Sequence, residues 1–323
     1  MKKQPLVVAL VAFLGLPANA NAQVYPSHVI TIVAAGPAGG PTDAVGRIVA
    51  EHMRVSLGQP VVIENVAASG GIAVNRVGRA APDGYTIELG HWGTNVVDGA
   101  VMALPYNLLT DFEPIALVAS NPLLITGKKD LPATNLRELV AWLKANPGKV
   151  TLAEPGAGSP PHIAGIFFEK LTNTEILFVP YRGGGPAMQD LIAGHIDLNM
   201  GQVSVALPQV NAGTVKAFAV TSEDRIAAAP NVPTTDEAGV PGLHLSVWHG
   251  LWVPKGTPRE IVVKLNAAVV AALADPIVQQ RLAQLGQDIP PRAQQTPEAL
   301  RAYQKAEIDK WWPIIKAANI KVE

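Results

Sequence analysis

Cysteine is absent from the 323-residue chain, which removes disulfide frameworks, thiol nucleophiles and thiolate metal sites together. Charge is nearly balanced: 25 basic residues against 26 acidic ones give a formal net charge of −1, so no basic footprint for nucleic acid exists. Aromatic residues make up 5% of the chain and apolar residues 48%, the balance of a globular protein rather than a disordered or collagen-like one. Beyond the first 22 residues, no apolar stretch is long and charge-free enough to span a membrane. Catalytic and nucleotide signatures are missing too: no H-E-x-x-H, no G-x-S-x-G, no G-x-G-x-x-G and no P-loop ending. His28, His52, His91, His162, His195, His244 and His249 show no metal-ligand spacing. Neither a metal nor a cofactor is expected.

What is present begins with "MKKQPLVVALVAFLGLPANANA". A short basic start at Lys2 and Lys3, an apolar run from Leu6 to Leu16 and small residues at Ala20-Asn21-Ala22 have the anatomy of a secretory signal peptide. Cleavage is expected after Ala22, with Ala20 as the fallback. The remaining 23 basic and 26 acidic groups then give a net charge of about −3. The product is expected to be soluble and exported.

From Val29 onward, strand-like and helix-like segments alternate. "VITIV" is β-branched like a buried strand, and Val45, Ile48, Val49, Met53 and Leu57 fall on one helical face ending at Gly58. "PVVIEN" and "YTIELG" are further strands, separated by the helical "GIAVNRVGRAA". A second unit starts near Asn121, where Asn135 caps a helix with Glu138 three residues on. It continues as strand "KVTLAE", loop "PGAGSPPH", a helix, strand "ILFVPY", loop "RGGGP", another helix and strand "HIDLNM". After "VWHGLWVPKGTP" the chain is mainly helical, with Pro313 expected to kink or restart the last helix after Trp312. The pattern predicts an α/β fold of two lobes, with helices on mostly parallel sheets. The C-terminal helices are expected to pack on the first lobe.

Three strand-to-helix loops are nearly bare of side chains: Gly36 to Asp43, Gly156 to His162, and Arg182 to Pro186. Unpaired N–H groups and a positive dipole end at each helix start suit anions without lysine or arginine. Gly39 and Gly40 would let a ligand oxygen reach main-chain amides, and the Thr42 hydroxyl adds a donor. Two lobes, each offering such a loop, can hold a molecule acidic at both ends. The competing explanation is that glycine-rich turns merely pack helix against strand. Asp43 is either an acid favoured by the dipole or a latch to the other lobe, and His162 either orients its loop or meets ligand.

With these loops in view, the sequence resembles the exported solute-binding proteins of tripartite tricarboxylate transporters, the Bug receptors. The resemblance runs over the mature chain in order, through "AGGPTD", "GQPVVIEN", "AAPDGYTIELG", "LPYNLLTDFEPIALVA", "PGAGSPPH", "VPYRGGGPAMQDLIAGHIDL", "AFAVTSEDR", "PNVPTTDEAGVPG" and "KGTP". It implies a periplasmic-binding-protein fold of type II kind with a ligand cleft between lobes. Lobe 1 would comprise residues 23–122 and 247–323, and lobe 2 residues 123–246. It implies a monomeric receptor in the periplasm that closes over a small carboxylate and delivers it to membrane permease subunits, with no chemistry performed.

By position, the resemblance assigns ligand contact to Pro37, Ala38, Gly39, Gly40, Thr42 and Asp43, to Gly156, Gly158, Ser159 and His162, and to Tyr181, Gly183 and Gly184. The turn "GHWGTN" is expected to line the cleft through Trp92, Thr94 and Asn95. Two departures stand out. Ala34-Ala35-Gly36 replaces the family's usual Val-Pro-Phe, which implies a roomier pocket for a longer or bulkier ligand. Glu154 replaces a common serine, where it repels anions unless neutralised or turned away, binds an amino group, or is a surface residue at a strand end; Arg182 is its nearest candidate partner. The expected ligand is a linear dicarboxylate or an aromatic acid. The alternatives are a receptor for an amino-bearing or neutral solute, and an exported hydrolase using Asp43 and His162.

Overall fold

The computed structural model describes residues 25–66, 70–154, 156 and 158–320. The signal peptide and the cleavage point after Ala22 lie outside them. In chain order the elements are β1 (Ile30–Ala35), α1 (Pro41–Leu57), β2 (Val61–Val66), α2 (Gly70–Gly78), β3 (Thr86–His91), a π-helical turn (Gly93–Val97), α3 (Asp98–Val101) and β4 (Phe112–Lys128). There follow α4 (Leu136–Ala145), β5 (Thr151–Glu154), α5 (Pro160–Thr172), β6 (Leu177–Pro180), α6 (Gly184–Ala193), β7 (Leu198–Gln202), α7 (Val203–Asn211) and β8 (Val215–Val220). The chain closes with β9 (Ser246–Pro254), α8 (Arg259–Ala274), α9 (Pro276–Gln284) and α10 (Pro297–Ala317).

Local chemistry explains many of these boundaries. Asn135 accepts the Glu138 N–H at 3.0 Å, and Glu138 reaches back to the N–H and hydroxyl of Thr134. Thr296 caps α10 by accepting the Ala299 N–H at 3.1 Å. Gly58 ends α1 in the left-handed conformation that glycine tolerates best. Of the two outcomes expected at Pro313, a restart does not occur: α10 continues through the proline. The proline removes a hydrogen bond to Asp309, and both residues are exposed, so the break falls on the solvent side of the helix.

Strand order is β2-β1-β3-β9-β4-β7-β5-β6, with β8 also paired to β4. The arrangement is more mixed than the sequence pattern suggested, because β9 runs antiparallel to both β3 and β4. The 17-residue β4 takes part in both parts of the sheet. Its pairing with β9 runs from Phe112 to Pro122, and its pairing with β7 from Leu123 to Gly127.

Helices cover both faces. Ile30, Ile32 and Ala34 pack with Val45, Ile48, Val49 and Met53 of α1 and Leu265 and Val269 of α8, while Val33 and Ala35 join Ala73, Val74 and Val77 of α2 on the other side. This alternation is the period of two of a strand buried on both faces. In the second half, Leu136, Leu139, Leu143 and Phe168 cover one face, and Ala187, Leu191 and Ala206 the other. The C-terminal helices α8 and α10 pack against β4, and α8 and α9 against α1.

Strand polarity decides where the loops go. β9 is antiparallel to β3 and to β4, so β1 and β3 run in the same direction as β4. β7 is antiparallel to β4, and β5 and β6 follow β7, so these three run against it. The carboxyl ends of the two strand sets therefore point at one another. His91, at the end of β3, pairs with His249, which pairs with Ala119 of β4; Gln202, at the end of β7, pairs with Leu123. Four residues of extended chain, roughly 13 Å, separate these levels.

Candidate ligand-binding site

On the first side, β1 delivers the chain to the start of α1. Gly39 has φ +78°, a left-handed value that an ordinary side chain resists. Its N–H donates to Asp43 Oδ2 at 2.8 Å, and the Gly40 N–H donates to the Pro37 carbonyl at 3.1 Å. Both donors are therefore already engaged, which corrects the expectation that Gly39 and Gly40 offer them to ligand. Pro41 has no N–H, so the donors left at this helix mouth are those of Thr42 and Asp43, which find no acceptor among the described residues. Asp43 binds Arg47 through both Nε and Nη2, and that contact chiefly holds its carboxyl below the usual range. It ties down its own helix and does not latch to the other lobe.

Thr42 is 8% exposed, and its Oγ1 lies 3.3 Å from His249 Nε2. A Cβ at Gly36 would stand 3.9 Å from that hydroxyl, so the bare residue leaves the approach to Thr42 open. Burial, aided by neighbouring His91, pushes His249 down to about 3. His91 is likewise pushed down to about 4 by burial. Its Nδ1 accepts the Gly93 N–H while the ring bonds the Ala35 carbonyl, an arrangement that requires the proton on Nε2. Both rings are neutral at pH 7, so the floor on this side works by dipoles and not by charge.

On the second side, α5 and α6 have different mouths. At α5, Pro160 and Pro161 lack N–H groups, the His162 N–H donates to Ser159 Oγ at 3.4 Å, and the Gly158 N–H donates to His162 Nδ1 at 3.0 Å. This mouth is closed by its own residues, a correction to the expectation for Gly158. At α6 the amides of Gly183, Gly184 and Gly185 find no acceptor among the described residues. Tyr181 adjoins them, with its hydroxyl donating to Asp190 at 2.7 Å.

The remaining expected residues divide. Pro37, Ala38, Gly39, Gly156 and Gly184 are exposed, and Gly40, Gly158, Ser159, His162, Tyr181 and Gly183 half-buried, on rims that face each other. Trp92 does not line an open surface: it is fully buried, edge-to-face on Trp311 with centroids 5.6 Å apart. Thr94 and Asn95 are also buried, and Thr94 donates to Asn95 Oδ1 at 2.6 Å. The turn closes on itself as a π-helical unit, so these three support the floor. Glu154 is no surface residue either, being 15% exposed, and its neighbour is His162, with Nδ1 3.5 Å from Oε1, in place of Arg182. Asp43 and His162 are each engaged within their own loop, which leaves no acid–base pair. Sequence reasoning missed His249, which reaches Thr42 across 207 positions with no local signal.

A cavity of about 520 Å³ lies elsewhere, between Glu113, Arg259, Asn266 and Arg301. It has none of the facing loops. Two glycine-lined rims thus oppose each other across a shared strand.

The family model described as tripartite tricarboxylate transporter family receptor matches residues 45–320. Among solved structures, the periplasmic binding protein BugD is 40% identical, with a TM-score of 0.76 over 93% of this chain and 100% of that one. MatC from Rhodopseudomonas palustris, with bound malate, is 37% identical, with a TM-score of 0.77 over 90% and 100%. Rpa4515 from R. palustris, with adipate, is 31% identical, with a TM-score of 0.80 over 92% and 99%. The chain belongs to the tripartite tricarboxylate transporter receptor family. It is a periplasmic solute-binding receptor with an α/β periplasmic-binding-protein fold, and not an enzyme.

Proposed function

We propose that this receptor captures a small dicarboxylate between two lobes, residues 23–122 with 247–323 and residues 123–246, and passes it to its membrane permease. Its export would follow cleavage after Ala22, which N-terminal sequencing of the periplasmic protein tests. One carboxylate takes the amides of Thr42 and Asp43 with the Thr42 hydroxyl, the other the amides of Gly183 to Gly185. The observation that carries this reading is at α6. Gly184 and Gly185 have ordinary φ, and a Cβ on either would meet nothing within 4 Å. Packing does not explain them, although glycine in a helix costs about 0.5–1 kcal/mol relative to alanine. A ligand approaching the backbone does explain them. The malate and adipate bound by the two relatives supply the ligand class.

Closure follows from differential contacts: a ligand touching both rims favours the state in which they meet. A thermal-shift screen over mono-, di- and tricarboxylic and aromatic acids tests the reading. A dicarboxylate at about 100 times its Kd adds roughly 2.7 kcal/mol and raises Tm by several degrees. No shift with any acid refutes it. Thr42→Ala should weaken the selected acid while leaving the unliganded Tm within a degree or two, as calorimetric titration and melting would show.

A further inference from the structure

Glu154 ends β5, paired in register with Pro180, immediately before the Tyr181–Gly185 rim. Its side chain is 15% exposed. The neighbouring His162 cannot compensate it. Nδ1 of that ring faces Glu154 at 3.5 Å but already accepts the Gly158 N–H at 3.0 Å, so the proton sits on Nε2. Burial also keeps His162 below its ordinary pKa, against the opposing influence of Glu154. The Tyr181 N–H goes to the main-chain oxygen of Glu154, and its hydroxyl to Asp190. Arg182 is exposed and makes no ion pair among the described residues, while Arg47 on the opposite side is committed to Asp43. A half-buried carboxylate thus ends the strand beside the α6 rim, with no cation paired to it among the described residues.

We propose that Glu154 is a cation subsite and that the solute is an amino-bearing dicarboxylate. Its ammonium group is held by Glu154 while its carboxylates take the amides at the mouths of α1 and α6. This rests on the dicarboxylate reading above and sharpens it. A dianion without an amino group meets Glu154 as a like charge in a partly desolvated position, whereas an ammonium donates a charge-assisted hydrogen bond to it. Glu154 therefore selects among acids that the two amide mouths would otherwise bind alike.

The test is calorimetric titration of the wild-type receptor, Glu154→Ser and Glu154→Gln with two matched pairs, malate with aspartate and adipate with 2-aminoadipate. The wild type is expected to prefer the amino member of a pair by about tenfold or more. Both variants, checked as folded by their melting curves, are expected to lose that preference and to bind the amine-free acid more tightly. Equal binding of both members by the wild type, or a preference unchanged in either folded variant, overturns the role of Glu154 but leaves the dicarboxylate reading standing. Failure of the wild type to bind any of the four, together with a blank acid screen, overturns both.

Discussion

Glu88 shows what one buried group does to this protein. It lies on β3 with no exposure, and both carboxyl oxygens lack a close hydrogen-bond partner among the described residues. Burial pushes its pKa up to about 8, with the Asn95 side chain opposing. The group titrates near 4.5 when unfolded, so the folded state binds more protons between about pH 4.5 and 8, and stability falls as pH rises through that window. Glu88→Gln is expected to melt higher than wild type above pH 8, with the gain shrinking toward pH 5. Melting curves at four or five pH values check this, and a constant difference would show that Glu88 does not titrate there. His91 and His249 act at the other end. Their folded pKa values, about 4 and about 3, lie below the ordinary 6.5, so stability also falls as pH drops below about 6.5.

At the scale of elements, the starts of α5 and α6 contrast. α5 is closed by two prolines, a serine cap and a histidine, whereas α6 opens on glycines whose amides are unengaged. Gly184→Ala and Gly185→Ala should each stabilise the protein by about 0.5–1 kcal/mol while weakening ligand binding. Denaturant unfolding alongside titration would reveal that opposition, and unchanged affinity would remove α6 from the site. Gly165 of α5 is a different kind of glycine. A Cβ there would stand 2.6 Å from Leu152 Cδ2 and 2.7 Å from the Phe178 ring, so Gly165→Ala should destabilise by about 1–3 kcal/mol through overpacking.

At the scale of the whole molecule, the crossing between the halves is a small polar lattice. Thr221 Oγ1 accepts the Leu123 N–H at 2.9 Å and donates to the Leu245 carbonyl at 2.6 Å. Asn121 accepts the Val203 N–H at 3.2 Å and donates to the Leu285 carbonyl at 3.3 Å, so one buried side chain ties α7 to the end of α9. Asn121→Ala leaves the Val203 N–H without that acceptor, a loss of about 1–3 kcal/mol that equilibrium unfolding would measure. Further out, Trp311 of α10 packs on Phe167 of α5 at 5.3 Å, and Lys310 donates to the His244 carbonyl at 2.8 Å. These contacts join α10 to the second half of the chain. Closure should appear in small-angle scattering as a smaller radius of gyration with saturating ligand, and an unchanged radius would exclude a large hinge motion.

Short-range chemistry made much of this legible in the sequence. The strand–glycine–helix units, the Asn135 and Thr296 caps and the bare approach to α6 depend on neighbours within a few residues, so local propensity and spacing determined them. Long-range contact decided the rest. Whether an amide is free depends on which carboxylate or carbonyl reaches it, and only the fold shows Gly39 taken by Asp43, Gly158 taken by His162, and Gly184 left open. The same holds for Trp92, drawn into the core by Trp311, and for Thr42, met by a histidine from a strand that comes 207 residues later. Spacing along a chain specifies donors and turns; which of them remain available is set where distant strands are brought side by side.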